Sequence, residues 1–302
     1  MRLVPTLCFA VSALAVSASA QTPAAPVVPA SPVMALTAQN FARYERASEV
    51  QLRDVAAIVR VRPENRTDVA VAVINPGPLA APRMRMSGRK LVVDGGLRRQ
   101  IRSCNAHNGI FSVQTARNGV LRTPELPTIE LRVPQNAVIS ANGAVRMRVG
   151  AAQSATIALS GCGDADIDRI ADSGEVAISG SSDVRIADVG DLEAAVAGSG
   201  NVTAGLVRNG LTVSVAGSGD FVAARADGPT NVALQGSGDV TIRDGRATTL
   251  SIAIAGSGDV IHNGSAQRLD VAILGSGDVR VRRVDGEINR RVIGGGEVTI
   301  GR

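Results

Sequence analysis

The tetrapeptide Gly-Ser-Gly-Asp, or a close variant, returns about every 19 residues through the second half of the chain. That rhythm constrains the fold more than any other feature. Aligned on it stand Gly161-Cys162-Gly163-Asp164, Gly180-Ser181-Ser182-Asp183, Gly198-Ser199-Gly200-Asn201, Gly217-Ser218-Gly219-Asp220, Gly236-Ser237-Gly238-Asp239, Gly256-Ser257-Gly258-Asp259, Gly275-Ser276-Gly277-Asp278 and Gly294-Gly295-Gly296-Glu297. Their first glycines lie 19, 18, 19, 19, 20, 19 and 19 residues apart. A fixed period of this length marks a solenoid, in which each repeat buries its apolar face only against its neighbours.

Apolar residues alternate on both sides of the turn. Before it come Leu211, Val213 and Val215, then Leu250, Ile252 and Ile254, then Leu269, Val271 and Ile273; after it come Val240 and Ile242, Val279 and Val281, Val298 and Ile300. Period two means strands with one face buried. Each repeat therefore reads as strand, glycine corner, strand and return. The expected fold is all-β, a parallel β-helix (β-solenoid) with coils of about 19 residues marked by Gly-Ser-Gly-Asp corners. Eight coils at about 4.8 Å per stacked strand make a rod on the order of 35 to 40 Å long. The glycines supply positive φ at the corner, and the aspartates cap neighbouring amides in an Asx turn.

Residues 151–302 hold these regular repeats. Residues 45–150 carry strand signals without the rhythm, among them Ala57 to Val61, Val69 to Ile74, Thr128 to Val133 and Ala144 to Val149, separated by turns such as Asn75-Pro76-Gly77-Pro78. They read as irregularly wound coils of the same solenoid. Residues 21–44 are rich in proline and alanine, a linker with little to bury. Residues 1–20 combine Arg2, an apolar run from Leu3 to Val16 and Ala18-Ser19-Ala20, which predicts a cleaved secretory signal peptide. The mature protein is then expected in the periplasm or outside the cell. No later stretch is long and apolar enough to predict a membrane-spanning helix.

In an exported protein the two remaining cysteines, Cys104 and Cys162, read as a disulfide, with two buried thiols as the alternative. Aromatic residues make up 2% of the chain and tryptophan is absent. The core is therefore aliphatic, and the ring platforms on which sugars and bases stack are scarce. The net charge of +5 comes almost wholly from arginine, Lys90 being the only lysine. Export argues against nucleic acid as the partner and points to an anionic envelope polymer or glycan. Arg83, Arg85, Arg89, Lys90, Arg98, Arg99 and Arg102 are the candidate contacts, with the solvated face of a strand as the bland alternative. Arg280, Arg282, Arg283, Arg290 and Arg291 crowd the last coil, where Arg290 takes an inward place and is expected to guard the open end against self-association.

The corner column Asp164, Asp183, Asn201, Asp220, Asp239, Asp259, Asp278 and Glu297 invites comparison with calcium coils. Their nonapeptide glycine pattern is lacking, so local capping is expected and no metal or other cofactor is assigned. No catalytic residue is assigned either: the acids fall one per coil, and His107 and His262 have no triad or metal partner nearby in sequence. His262 stands in an inward slot, where the strand is expected to fray into the return.

The segments Val50-Gln51-Leu52, Ala56-Ala57-Ile58-Val59-Arg60-Val61 and Pro127-Thr128-Ile129-Glu130-Leu131-Arg132-Val133-Pro134, followed by the serial turns, make residues 45 to 302 resemble the exported bacterial auto-transporter adhesin, head GIN domain family. The resemblance implies a right-handed β-helix-like fold and an envelope or extracellular location, and it brings no catalytic residues. Because the sequence reaches Arg302 inside its last coil, self-transport through a membrane barrel of its own is not expected. The sequence thus favours a non-enzymatic envelope or cell-surface scaffold, adhesive in its finest reading, with a polysaccharide-active lyase or hydrolase as the alternative.

Overall fold

Val, Ile, Leu and Ala at every second position force the chain into strands, and the 19-residue register stacks those strands in parallel. The computed structural model describes residues 41–107 and 110–301, so the expected signal peptide and nearly all of the expected linker lie outside the described residues. Among the described residues there is no helix. From Asn136 onward each coil pairs with the next in parallel register, with Gly143 beside Gly161, Gly161 a coil below Gly180, and Gly217 beside Gly236 and then Gly256. One aliphatic core runs the length of the stack, from Ala47 to Val281.

The two glycines of the corner serve different ends. Gly236 has φ 129°, in the region L side chains avoid, and a Cβ there would lie 2.2 Å from the carbonyl oxygen of Gly217. Gly238 has no such φ, but its Cβ would lie 2.0 Å from the oxygen of Gly219. Conformation demands the first glycine and the closeness of the coil below demands the second.

The N-terminal third is more elaborate than a series of irregular coils. The strand Glu49–Glu64 is a true coil, paired in parallel with Asn136–Val149, and it extends the stack below the first recognisable corner. Beneath it lies a layer made by Lys90–Asp94 and Thr128–Pro134, each parallel to one half of Glu49–Glu64. Antiparallel strands close this layer: Arg83–Ser87 on Lys90–Asp94, Val69–Asn75 on Thr128–Pro134, and Ala42–Tyr44 on Val69–Asn75. The first strand among the described residues, Ala42–Tyr44, thus falls inside the segment expected to be linker. Antiparallel strands at the base cover edges that parallel coils would leave open.

A second sheet of three antiparallel strands, Ile101–His107, Ile110–Thr115 and Gly119–Arg122, stands apart from the stack. Phe111, Val113 and Leu121 of this sheet pack with Leu126 on Ala56 and Ala144, forming a smaller core with Ile101 and the two cysteines at its margin. Ala56, Ala144 and Cys162 are successive members of the column that carries serine in later corners. The column turns apolar where the sheet covers it.

Candidate binding surfaces

Three outward surfaces follow from the coil. The first is the corner column. In the corners from Gly198 to Gly294 two amides converge on one carbonyl, as Ser237 and Gly238 both donate to the oxygen of Gly217, which leaves the next amide without a backbone acceptor. The carboxylate one coil below supplies it. Asp239 N–H donates to Asp220 Oδ1 at 2.9 Å, Asp259 to Asp239 at 2.9 Å, Asp278 to Asp259 at 2.8 Å and Glu297 to Asp278 at 2.8 Å. Lower down, Asn201 donates to Asp183 at 3.1 Å, and Asp220 to Asn201 Oδ1 at 3.0 Å. These side chains cap the amide of the following coil rather than their own corner, as an Asx turn would. Asp164, at the foot of the column, is buried, and that burial raises its pKa against the opposing pull of Arg146.

The second surface surrounds the cysteines. Cys104 is bonded to Cys162 across a Cα separation of 6.1 Å, tying the small sheet to the first regular corner. Arg99 and Arg102 line an opening beside them, together with Asp54. Among the described residues Asp54 and Arg99 are the two non-glycines with left-handed φ, at 51° and 58°. Of the seven expected contacts the structure brings these two arginines into one opening. Arg83 and Arg85 are exposed on the edge strand, Arg89 and Arg98 are exposed in turns, and Lys90 Nζ lies 3.6 Å from Glu49.

The third surface comprises the outer faces of the coils. Before the corner, the place three residues ahead of the first glycine is filled by Ala158, Ala177, Ala195, Ser214, Ala233, Ala253 and Ala272 in successive coils. This row floors two adjoining shallow grooves of about 490 and 540 Å³ that share Ser214, with Ser179 and Ala197 along one and Asn231 and Ser251 along the other. After the corner, a groove of about 440 Å³ is lined by Arg60, Arg62, Arg146, Arg148, Asp166 and Asp168. Sequence reading missed these arginines because they arrive in two pairs far apart in the chain. The period-two spacing within each pair was the available signal.

His262 does not fray. It lies fully buried in the strand Val260–Ala266, in register with Ile242 and Val281, and neither ring nitrogen has a hydrogen-bond partner. Stacking between two aliphatic layers holds it there, and desolvation pushes its pKa below the usual value. The side chain of His107 lies outside the described residues. In the last coil Arg290 is level with Val271 and exposed, as are Ile288, Val292 and Ile293. Among the described residues, no three His, Cys, Asp or Glu side chains are grouped to hold a metal ion, and no helix is long and apolar enough to cross a membrane.

Residues 204–301 match the family described as "Putative auto-transporter adhesin, head GIN domain". The matched segment holds the regular corners from Gly217 to Gly294, where the resemblance is most specific. Among solved structures, a "putative adhesin" from Bacteroides fragilis is 13% identical, with 86% of this chain and 96% of that one covered and a TM-score of 0.31. A "putative lipid binding protein" from Parabacteroides distasonis is 14% identical, with 83% and 96% covered and a TM-score of 0.43. A "putative adhesin" from the same organism is 14% identical, with 86% and 96% covered and a TM-score of 0.37. Likeness at this level carries no functional weight. No curated protein matches the chain.

Proposed function

We propose that this protein is an exported, non-enzymatic scaffold of the envelope or cell surface that binds an extended polymer or glycan along its coils and serves adhesion. One observation carries the reading: the row Ala158, Ala177, Ala195, Ser214, Ala233, Ala253 and Ala272 repeats one size of side chain coil after coil. Such a face offers the same contact at each strand spacing, about 4.8 Å, and so fits a ligand that is itself extended. A catalytic cleft needs unlike groups converging on one point. The head GIN match and the signal-like N-terminus support placement outside the cytoplasm. Arg99 and Arg102, beside the cysteine pair, add an attraction for anionic polymers.

A second reading has one observation in its favour. Asp166 and Asp168 stand two residues apart on one face of a strand and line a groove with four arginines, as a polysaccharide lyase or hydrolase would need. A glycan array probed with the mature protein separates the two readings. Retention without product release is the expected result. Release of shortened glycan that is lost in Asp166→Asn would establish the enzyme instead, and absence of retention on every glycan would overturn the binding proposal.

A further inference from the structure

Parallel register between Glu49–Glu64 and Asn136–Val149 sets Arg60 directly beside Arg148, at the neighbouring-strand spacing of about 4.8 Å. Both are exposed, and neither has an ion pair or hydrogen bond among the described residues. Each has an acid in register on its far side, Glu130 beside Arg60 and Asp166 beside Arg148, and each of these acids is held by a different arginine. Arg62 Nε is engaged by Glu130 at 3.0 Å. Asp166, next along the row from Arg148, faces Arg185 on its other side, at 3.9 Å. Like charges directly opposite on adjacent strands are unfavourable, and the groove they share has room for a small solute.

We propose that Arg60 and Arg148 form an oxyanion site for a compact phosphate group. Two guanidinium forks present several N–H donors to one phosphate, and neutralising both at once removes their mutual repulsion. The acids define the limits of the site. A continuous polyanion running along this row would meet Asp166 on one side and Glu130 on the other, whereas a single phosphate seats between the arginines without reaching them. The site is distinct from the smooth face proposed to hold glycan, and neither depends on the other.

The test uses the mature protein at low ionic strength, with inorganic pyrophosphate as soluble probe and phosphatidylglycerol–phosphatidylcholine vesicles as lipid probe. Pyrophosphate is expected to raise the melting temperature of the wild type, and Arg60→Gln and Arg148→Gln each to weaken its binding at least about tenfold, the loss of roughly one charge-assisted hydrogen bond. Both positions are exposed and unpaired, so the variants should melt no lower than the wild type without probe. Arg225→Gln, whose arginine is held by Asp227 and Asp244, should leave binding within about twofold. Retention on vesicles that both glutamine variants abolish assigns the phosphate to a lipid head group; pyrophosphate binding without retention assigns it to a soluble compound. Binding in neither arm overturns the proposal, as does binding that survives both substitutions or falls equally in Arg225→Gln.

Discussion

Replacing Asp239 by alanine and, separately, by asparagine isolates the bond that joins one coil to the next at the corner. In the wild type Asp239 Oδ1 accepts the Asp259 N–H at 2.9 Å, and no carbonyl stands in reserve for that amide. A hydrogen bond to a charged acceptor contributes about 1.5–3 kcal/mol, and the exposed corner, where water can stand in, favours the lower end. Both substitutions also remove a negative charge flanked by Asp220 and Asp259. At about 4.8 Å in water each such neighbour costs about 1 kcal/mol, less with salt. Because that relief is common to both variants, it cancels between them. Asparagine at this corner keeps an oxygen in place, as Asn201 does naturally when it accepts the Asp220 N–H at 3.0 Å. The asparagine variant should therefore lie within about 1 kcal/mol of the wild type, and the alanine variant about 1.5 kcal/mol below the asparagine variant. In a chain of this size that gap is about 3–6 °C in melting temperature. Since solenoid stability is a sum of local interfaces, amide exchange at Asp259 should report the loss directly. Added salt should narrow the gap between aspartate and asparagine while leaving that between asparagine and alanine unchanged. Equal melting of the two variants, with unchanged exchange at Asp259, would refute the ladder.

Other consequences follow from single groups. Asp68, hydrogen-bonded by Arg66 and Arg43, has its pKa held down at about 2, so it stabilises the base above the ordinary carboxylate pKa and that contribution is lost as pH falls from about 4 towards 2. Asp68→Asn should cost about 2 kcal/mol at pH 7, less what solvent screening removes on the exposed Arg43 side, and should flatten the acid limb of a melting-temperature profile. His262, with a folded pKa below its unfolded value of about 6.5, takes up its proton first in the unfolded chain, so stability falls as pH drops through 6.5. His262→Ile should stabilise by about 1 kcal/mol at pH 7 and remove that slope, whereas an unchanged slope would place the titration elsewhere. The bond between Cys104 and Cys162 closes a loop of 58 residues, worth about 4 kcal/mol in the chain-entropy account; thiol titration of the native protein should find no reactive sulfhydryl, and two would reject the bond. Arg290→Val should leave the melting temperature similar while promoting end-to-end oligomers in light scattering, because the strand Ile288–Gly294 pairs on one side only among the described residues; a variant that stays monomeric would count against the gatekeeper.

The fold was legible because a solenoid writes itself into sequence twice, as a 19-residue period and as a period of two within it. Both signals are local, so the register of Leu211, Val213 and Val215 over the next coil could be read without coordinates. The need for glycine was equally legible, although only the structure divides it between the φ of Gly236 and the crowding at Gly238. Contacts made between coils were not legible. The aspartate column was visible, but which amide each carboxylate takes depends on an offset of one coil that no single repeat reveals. The two lowest coils were read only as irregular ones because Val55-Ala56-Ala57-Ile58 and Gly143-Ala144-Val145-Arg146 lost the tetrapeptide where the small sheet covers their corner. The pairing of Arg60 with Arg148 was hidden for a related reason. The chain leaves the stack after Glu64, builds the base and the small sheet, and returns at Asn136 along the other edge of the strand it left. Sequence by itself determined the repeating backbone, since hydrophobic alternation and glycine corners act within one coil. The tertiary structure alone decided which charges become neighbours, since that is set by where an interrupted chain rejoins the stack.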